Sequence, residues 1–201
     1  CCCCSQVDPV EARVMSLKAT ADVMNEAGIR WWIKDGTLLE SVRTGKLLEF
    51  DDPWDSDVGI MKEDVAKLGA VRHLAYERWG SPLIGRTDRW WLPSWSPFMI
   101  KRPAFRLYYG TYLPCFYVDI DEMEPREDDP SVLWNPQFDE HIPLRIPMDA
   151  MFPLATCVVE GVKLPCPKDS ERVLELTYGP TWRTPQRGFK AFDIDRPDVP
   201  K

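Results

Sequence analysis

The chain lacks long hydrophobic runs, since its 201 residues contain no stretch of about 18 or more consecutive apolar residues. We therefore predict no membrane-spanning segment. The chain also lacks a positive charge balance, because 32 acidic residues outnumber 25 basic residues and give a formal net charge of −7. Nucleic-acid-binding surfaces are normally basic. The charge argues against a nucleic-acid partner but allows a local basic pocket for a nucleotide.

Zinc-ligand spacing is missing as well. The chain has two histidines, His73 and His141, and three isolated cysteines, Cys115, Cys157 and Cys166. No subset of these residues has the short, paired spacing that is typical of zinc sites.

The remaining cysteines, Cys1–Cys4, are adjacent and cannot easily pair with one another. They could be acylated, or they could be an artefact of where the chain was cut. Because the chain starts without a methionine, we expect a fragment or a processed product, from which a signal or an anchor could have been removed. The sequence leaves the oligomeric state open.

What the chain does contain fits one globular domain over residues 1–201, with an ordinary hydrophobic share of 44% and a tail at 187–201 that we expect to be extended. The patterns predict helices and strands in an α/β (α+β) order. The predicted helices are 9–28, 36–43, 62–79 and 170–176. The predicted strands are 29–33, 56–61, 105–109 and 116–120, with a hairpin at 158–164. Residues 80–102 read as a long loop, packed either over the site or elsewhere, and residues 122–141 as irregular.

The central feature is the stretch Trp31–Met61, which carries the pair Asp55 and Asp57 at the start of a predicted strand. Positions two apart in a strand face the same side, so the two carboxylates should project together and repel. A divalent cation removes that conflict, and hard oxygen ligands suit Mg²⁺ or Mn²⁺. Among 32 acidic residues, however, such a pair can also arise by chance.

A Gly-Thr turn precedes this pair and strengthens the metal-site hypothesis. Gly36 and Thr37 follow an apolar run, and a glycine there lets backbone amides approach a phosphate closely. We expect Gly36 to border the same cleft as the carboxylates and to leave no room for a side chain.

These motifs resemble the signature of the LicD family, which includes fukutin and the fukutin-related protein. The matching residues are Gly36-Thr37-Leu38-Leu39, Val42-Arg43, Pro53-Trp54-Asp55-Ser56-Asp57-Val58-Gly59-Ile60, and several in 151–185. The resemblance covers roughly residues 20–186. This chain departs from the usual pattern at Glu40, where a small glycine is usual, at Thr44, and in the acidic run, where Asp51 and Asp52 precede Pro53-Trp54. Residues 62–114 contain no cysteine, so the zinc loop of some fukutin-like relatives is expected to be absent.

The resemblance implies a nucleotidyltransferase-like mixed sheet flanked by helices, with a third carboxylate on a later strand. Asp119 matches that position, and Asp121, two residues further, is the rival. Arg43 is a candidate for holding phosphate, because a guanidinium pairs well with phosphate oxygens. The competing interpretation of Arg43 is a surface ion pair.

The function that the resemblance implies is transfer of a phosphorylated alcohol, of the phosphocholine or ribitol/glycerol phosphate type, from a CDP-linked donor to a glycan. Asp55, Asp57 and Asp119 would hold Mg²⁺ or Mn²⁺, and Asp119 could take the acceptor's proton. We expect a Golgi or secretory-pathway lumen for a eukaryotic protein and the cytoplasm for a bacterial one. Two alternatives stay open: an inactive family member that acts as a glycan-binding or scaffold partner, and a nucleotidyltransferase that uses a nucleoside triphosphate.

Overall fold

The structure is a computed structural model that describes residues 8–47, 55–80, 83–85, 105–108, 116–136 and 144–185, with the backbone alone for 83–85 and for 105–108 apart from Leu107. Its α-helices are α1 (Pro9–Glu26), α2 (Asp35–Arg43), α3 (Leu68–Trp79), α4 (Met148–Met151) and α5 (Ser170–Tyr178), and a 3₁₀ helix spans Lys62–Lys67. Its strands are β1 (Trp31–Ile33), β2 (Asp55–Met61), β3 (Leu83–Gly85), β4 (Phe105–Tyr108), β5 (Tyr117–Pro125), β6 (Val132–Trp134), β7 (Ile146–Pro147), β8 (Ala155–Val159) and β9 (Val162–Cys166).

Several sequence interpretations concern residues outside these described ranges. They include Cys1–Cys4, the rearranged run Asp51, Asp52, Pro53 and Trp54, most of the 80–102 loop, Cys115, His141 and the tail at 187–201.

The main sheet has the strand order β1-β2-β5-β4-β3, with β6 and β7 added along the far end of β5. β2 and β5 are parallel, while the other pairs are antiparallel. A parallel pair needs a long crossover, and here the 3₁₀ helix, α3, β3 and β4 lie between β2 and β5 in sequence. The predicted mixed sheet flanked by helices is confirmed.

The first helix begins where capping chemistry predicts. Asp8 accepts hydrogen bonds from the backbone N–H groups of Val10 at 2.8 Å and Glu11 at 3.1 Å, and Pro9 occupies the first turn. In the described part of the chain, no helix is both long and apolar enough to cross a bilayer.

The prediction of irregular structure over 122–141 was wrong at two places, and one short strand lies within the predicted loop at 80–102. β5 continues to Pro125 and β6 follows within the acidic segment, while β3 lies inside the predicted long loop. In β5 the buried Met123 alternates with Glu122 and Glu124, and Lys62 pairs with Glu124 at 2.5 Å. The alternation of apolar and acidic residues is a half-buried strand pattern that the acidic composition obscured.

The β8–β9 hairpin turns through Glu160 and Gly161, whose φ angles are 48° and 74°, as expected for a two-residue hairpin turn. Cys157 and Cys166 form a disulfide across it, a pairing that the spacing did not suggest. The turn also holds the segment after α2, because the Glu160 N–H donates to the Gly45 carbonyl at 2.8 Å. The hairpin therefore supports the helix that leads to the acidic residues.

The core contact most relevant to the site lies between β1 and β2. Trp32 and Gly59 are register partners, and Trp32 is 1% exposed and packs edge-on against Phe152 at 5.7 Å between ring centroids. A Cβ added at Gly59 would lie 2.7 Å from the Trp32 ring. The indole thus occupies the space that a side chain at position 59 would need.

Gly59→Ala should lower the free energy of unfolding by about 1–3 kcal/mol, because the rigid ring must shift. Gly69→Ala is the matched control, since a Cβ there meets nothing within 4 Å and alanine favours the helix. It should be neutral or stabilising by up to about 1 kcal/mol. Urea unfolding followed by circular dichroism measures both, and equal effects would contradict this account of Gly59.

Candidate metal and phosphate site

Three carboxylates converge on one face of the central strands. Asp57 on β2 and Asp119 on β5 are direct partners in the parallel register, and Asp55 lies two residues before Asp57. Each of the three offers an oxygen, and these oxygens all lie within 4.8 Å of one another. Neighbouring strands are about 4.8 Å apart, so in-register acids on one face must meet. The structure therefore brings together the three residues that were predicted as metal ligands.

Like charges dominate the electrostatics of this group. Burial raises the pKa of Asp57 well above its ordinary value, and the carboxylates of Asp55, Asp35 and Asp119 raise it further. The ammonium of Lys34 acts in the opposite direction. Without a cation, the group therefore holds its negative charge at a cost in free energy.

Lys34 carries the nearest positive charge that the described contacts provide. Its Nζ lies 2.5 Å from Asp121 Oδ2 and 2.7 Å from Asp35 Oδ2, and its side chain is 11% exposed. Burial would lower the pKa of Lys34, but the carboxylates of Asp121, Asp35 and Asp57 raise it well above the ordinary value. Asp121, the rival to Asp119, thus pairs with Lys34, whereas Asp119 joins the carboxylate group.

Helix α2 begins directly beside the carboxylates. The Lys34 N–H donates to the Asp57 carbonyl at 3.1 Å, and the helix starts at Asp35. A Cβ added at Gly36 would lie 3.6 Å from Asp57 Oδ2. Gly36 therefore borders the site as predicted, but the expectation that it leaves no room for a side chain was wrong, because 3.6 Å is an ordinary contact.

Thr37 contributes to the site through the backbone of β2. Its side chain is fully buried, and its Oγ1 accepts a hydrogen bond from the Asp57 N–H at 2.9 Å. This contact ties the backbone of β2 at Asp57 to the first turn of α2. A phosphate at this end of α2 would meet backbone amides, which also carry the positive end of the helix dipole.

Arg43 lies away from the acidic group, at the last residue of α2. Its guanidinium donates to the Trp182 carbonyl, at 2.6 Å from Nε, and to the Thr184 carbonyl at 3.5 Å. Eight residues of helix separate it from Asp35, or about 12 Å along the axis. In the contacts described, Arg43 ties α2 to the segment after α5, and a role in holding phosphate stays a prediction.

The opposite face of β2 rests on a buried ion pair. Ser56, between the two acids, is fully buried and accepts a hydrogen bond from Arg13 Nε at 3.4 Å. Arg13 also binds Glu40 through two nitrogens, at 3.1 Å and 2.6 Å. Glu40, which replaces a usual glycine, therefore supports the strand from behind and does not join the carboxylate group.

Sequence reasoning missed Lys34 and Arg13. Lys34 is a charged residue between a buried strand and a Gly-Thr turn, and Arg13 lies among the apolar positions of α1. A charge on a buried face needs a partner, so each position carried a readable signal. The identity of the partners, Asp121 and Glu40, depended on contacts between distant parts of the chain.

Three convergent carboxylates are a suitable donor set for Mg²⁺ or Mn²⁺, because these cations prefer hard oxygen ligands and leave positions for phosphate oxygens. The fit rests on the chemistry of the donors and on the raised pKa of Asp57, because a bound cation would offset the repulsion that raises it.

Sheet order and site geometry together define a protein of the nucleotidyltransferase fold. The solution structure of the antibiotic-resistance factor ANT(2'')-Ia agrees with this, with a TM-score of 0.53 at 14% identity over 93% of this chain and 83% of that one. The sequence model described as "LicD/FKTN/FKRP, nucleotidyltransferase domain" matches residues 28–169, and the chain belongs to this family.

Two mammalian proteins are similar to this chain. The chain is 28% identical over 158 residues to the ribitol 5-phosphate transferase FKRP of Mus musculus and equally to that of Homo sapiens. The match covers 79% of this chain and 29% of each relative, so the chain spans less than a third of their length. An uncharacterized protein of Rickettsia prowazekii is 44% identical over 55 residues, which is 27% of this chain and 20% of that protein.

The raised pKa of Asp57 predicts a pH dependence for the metal-free protein. A carboxyl whose folded-state pKa exceeds its unfolded value binds more protons when folded, so stability falls as pH rises above about 4 toward the raised pKa. Asp57→Asn removes this loss. The variant should therefore gain stability relative to the wild type as pH rises, which urea unfolding in chelator from about pH 5 to pH 8 measures.

Asp22→Asn is the control, because the pKa of Asp22 is shifted in the opposite direction and its contribution to stability does not change between about pH 5 and pH 8. A hydrogen bond from Trp79 lowers the pKa of Asp22, against the effect of burial, and Arg78 lowers it further. Asp22 therefore contributes stability that is present above its ordinary pKa and is lost as pH falls. A destabilised Asp57→Asn that shows no pH dependence would identify Asp57 as a hydrogen-bonded structural residue.

Proposed function

We propose that the chain is a metal-dependent phosphotransferase that moves a phosphorylated alcohol from a CDP-linked donor to a glycan. Family membership supports a transferase of phosphorylated groups, and the named activity of the mammalian relatives, ribitol 5-phosphate transfer, is of this kind. The observation that carries the proposal is the convergence of Asp55, Asp57 and Asp119 within 4.8 Å. The head group would be of the phosphocholine or ribitol/glycerol phosphate type.

In this proposal, Asp55, Asp57 and Asp119 hold Mg²⁺ or Mn²⁺. When bound, the cation would supply positive charge to the donor's phosphate oxygens and offset the charge on the leaving CMP. The backbone at Gly36, in the first turn of α2, would border the phosphate, because helix N-termini favour anions.

The reaction transfers one phosphoryl group. The acceptor's hydroxyl oxygen forms a bond to the donor phosphorus that carries the alcohol. The bond from that phosphorus to the CMP oxygen breaks, so CMP leaves with the electron pair. Asp119 is the candidate to take the hydroxyl proton, because it lies at the same face as the other two acids and is only 7% exposed.

A thermal-shift screen of the full chain tests this function. CDP-choline, CDP-ribitol and CDP-glycerol are compared with nucleoside triphosphates, each with and without Mn²⁺. A CDP-alcohol present at about 100 times its Kd should raise the melting temperature by about 5–10 °C, and only with Mn²⁺. Asp57→Asn should weaken Mn²⁺ binding by more than about 100-fold and abolish transfer, since even second-sphere partners of a metal are worth about 10–100-fold.

Asp22→Asn is the matched control, because it makes the same substitution at a surface acid that pairs with Arg78 and Trp79, and it should bind and transfer normally. A shift caused only by a nucleoside triphosphate, with release of pyrophosphate, would replace the proposal with a nucleotidyltransferase. A wild-type chain that binds no Mn²⁺ would favour a scaffold role.

We further propose that the protein acts in an oxidising compartment, such as the secretory-pathway lumen of a eukaryote. The Cys157–Cys166 disulfide supports this, because such bonds persist in oxidising compartments. Thiol alkylation of the protein taken directly from its native cells should leave both cysteines unmodified until a reductant is added. Full alkylation before reduction would contradict this location.

A further inference from the structure

The ammonium of Lys34 binds two carboxylates beside the acidic group, Asp35 and Asp121, that could otherwise serve as ligands for a second cation. Catalytic sites that use two metal ions hold them roughly 3.5–4 Å apart, on carboxylates that are shared or adjacent. On β5, Asp121 follows Asp119 by two residues on the same face, and it would be the natural ligand for a second ion. In this structure, Asp121 instead forms an ion pair with Lys34, with Nζ 2.5 Å from Asp121 Oδ2.

The other carboxylate at this position is also engaged. Asp35, at the start of α2, has its Oδ2 2.7 Å from the same ammonium. Its φ of 43° is a left-handed conformation that aspartate adopts more readily than most residues. Lys34 thus joins two acids that would otherwise add to the charge around Asp57.

The backbone holds this lysine in place. The Lys34 N–H donates to the Asp57 carbonyl at 3.1 Å, so the residue is attached to the strand that carries the site. The register partner of Asp121 is Gly59, which has no side chain, and the Trp32 ring fills the adjoining space. The lysine side chain is 11% exposed and the Asp121 side chain 6% exposed, so the pair is shielded from water.

We infer that Lys34 is a built-in cation that occupies the second-cation position and restricts the site to one divalent ion. The inference rests on the proposed function, because it assumes that Asp55, Asp57 and Asp119 hold that ion. Lys34 acts as a positioning residue through Asp35 and Asp121. The count of bound ions, which is independent of catalysis, is the direct readout.

Titration of the full chain with Mn²⁺, followed by electron paramagnetic resonance, counts the bound ions. The free-ion signal gives the stoichiometry, and two ions at roughly 4 Å would couple magnetically and broaden the spectrum. The wild type should bind one Mn²⁺ without such coupling. Lys34→Met should bind two, because Asp35 and Asp121 lose their ammonium and become available to a second ion.

Two further variants make the count specific. Lys34→Met/Asp121→Leu should return to one ion, because the second ion loses its main ligand. Lys67→Met removes an ammonium that pairs with Asp64 at 2.7 Å, elsewhere on the surface, and should still bind one.

The outcomes separate this inference from the proposed function. A wild type that binds no Mn²⁺ refutes the metal site itself. Three outcomes overturn the role of Lys34 and leave the phosphotransferase proposal intact. They are a wild type that binds two ions, a folded Lys34→Met that still binds one, and a double variant that still binds two. If Lys34→Met unfolds without metal, Mn²⁺ should restore its fold, and failure to do so also overturns the inference.

Discussion

The in-register parallel pairing of β2 with β5 is the constraint on which the site depends. It places Asp57 beside Asp119 on one face of the sheet, with Asp55 at the same end. Neighbouring strands are about 4.8 Å apart, so these carboxylates must repel unless positive charge reaches them. The start of α2 and the ammonium of Lys34 both lie at this end and reduce that repulsion.

Buried ion pairs support β2 from both faces. Lys34 and Asp121 lie on the face of the carboxylates, and Arg13 and Glu40 lie behind Ser56 on the other. A buried ion pair contributes little net stability, since desolvation offsets the attraction, but removing one partner is costly. Their value here is to fix the position of the strand, because each pair ties β2 or its neighbour to a helix or an adjoining strand.

The departure from the family pattern at Glu40 has a physical explanation. A glycine at that position would leave Arg13 buried without the carboxylate that now binds it through two nitrogens. Glu40 and Arg13 therefore form one unit, and the departure concerns the support of the strand and leaves the acidic group unchanged. Arg43 has a comparable structural role, because its guanidinium donates hydrogen bonds to the carbonyls of Trp182 and Thr184.

Local chemistry in the sequence determined most of the elements. The Asp8 cap, the apolar runs, the Gly-Thr turn and the spacing of Asp55 and Asp57 predicted α1, β1, α2 and β2 to within two residues at each end. These features depend on residues close together in the chain, whose period and capping can be read directly.

Only the tertiary structure decided which distant residues meet. The register of β2 against β5 selected Asp119 for the acidic group and left Asp121 to Lys34, although both match the same apolar-acid pattern. The direction of α2 likewise brought Arg43 to the carbonyls of Trp182 and Thr184. Strand pairing and helix packing bring together residues that are far apart in sequence. No local sequence pattern specifies these contacts.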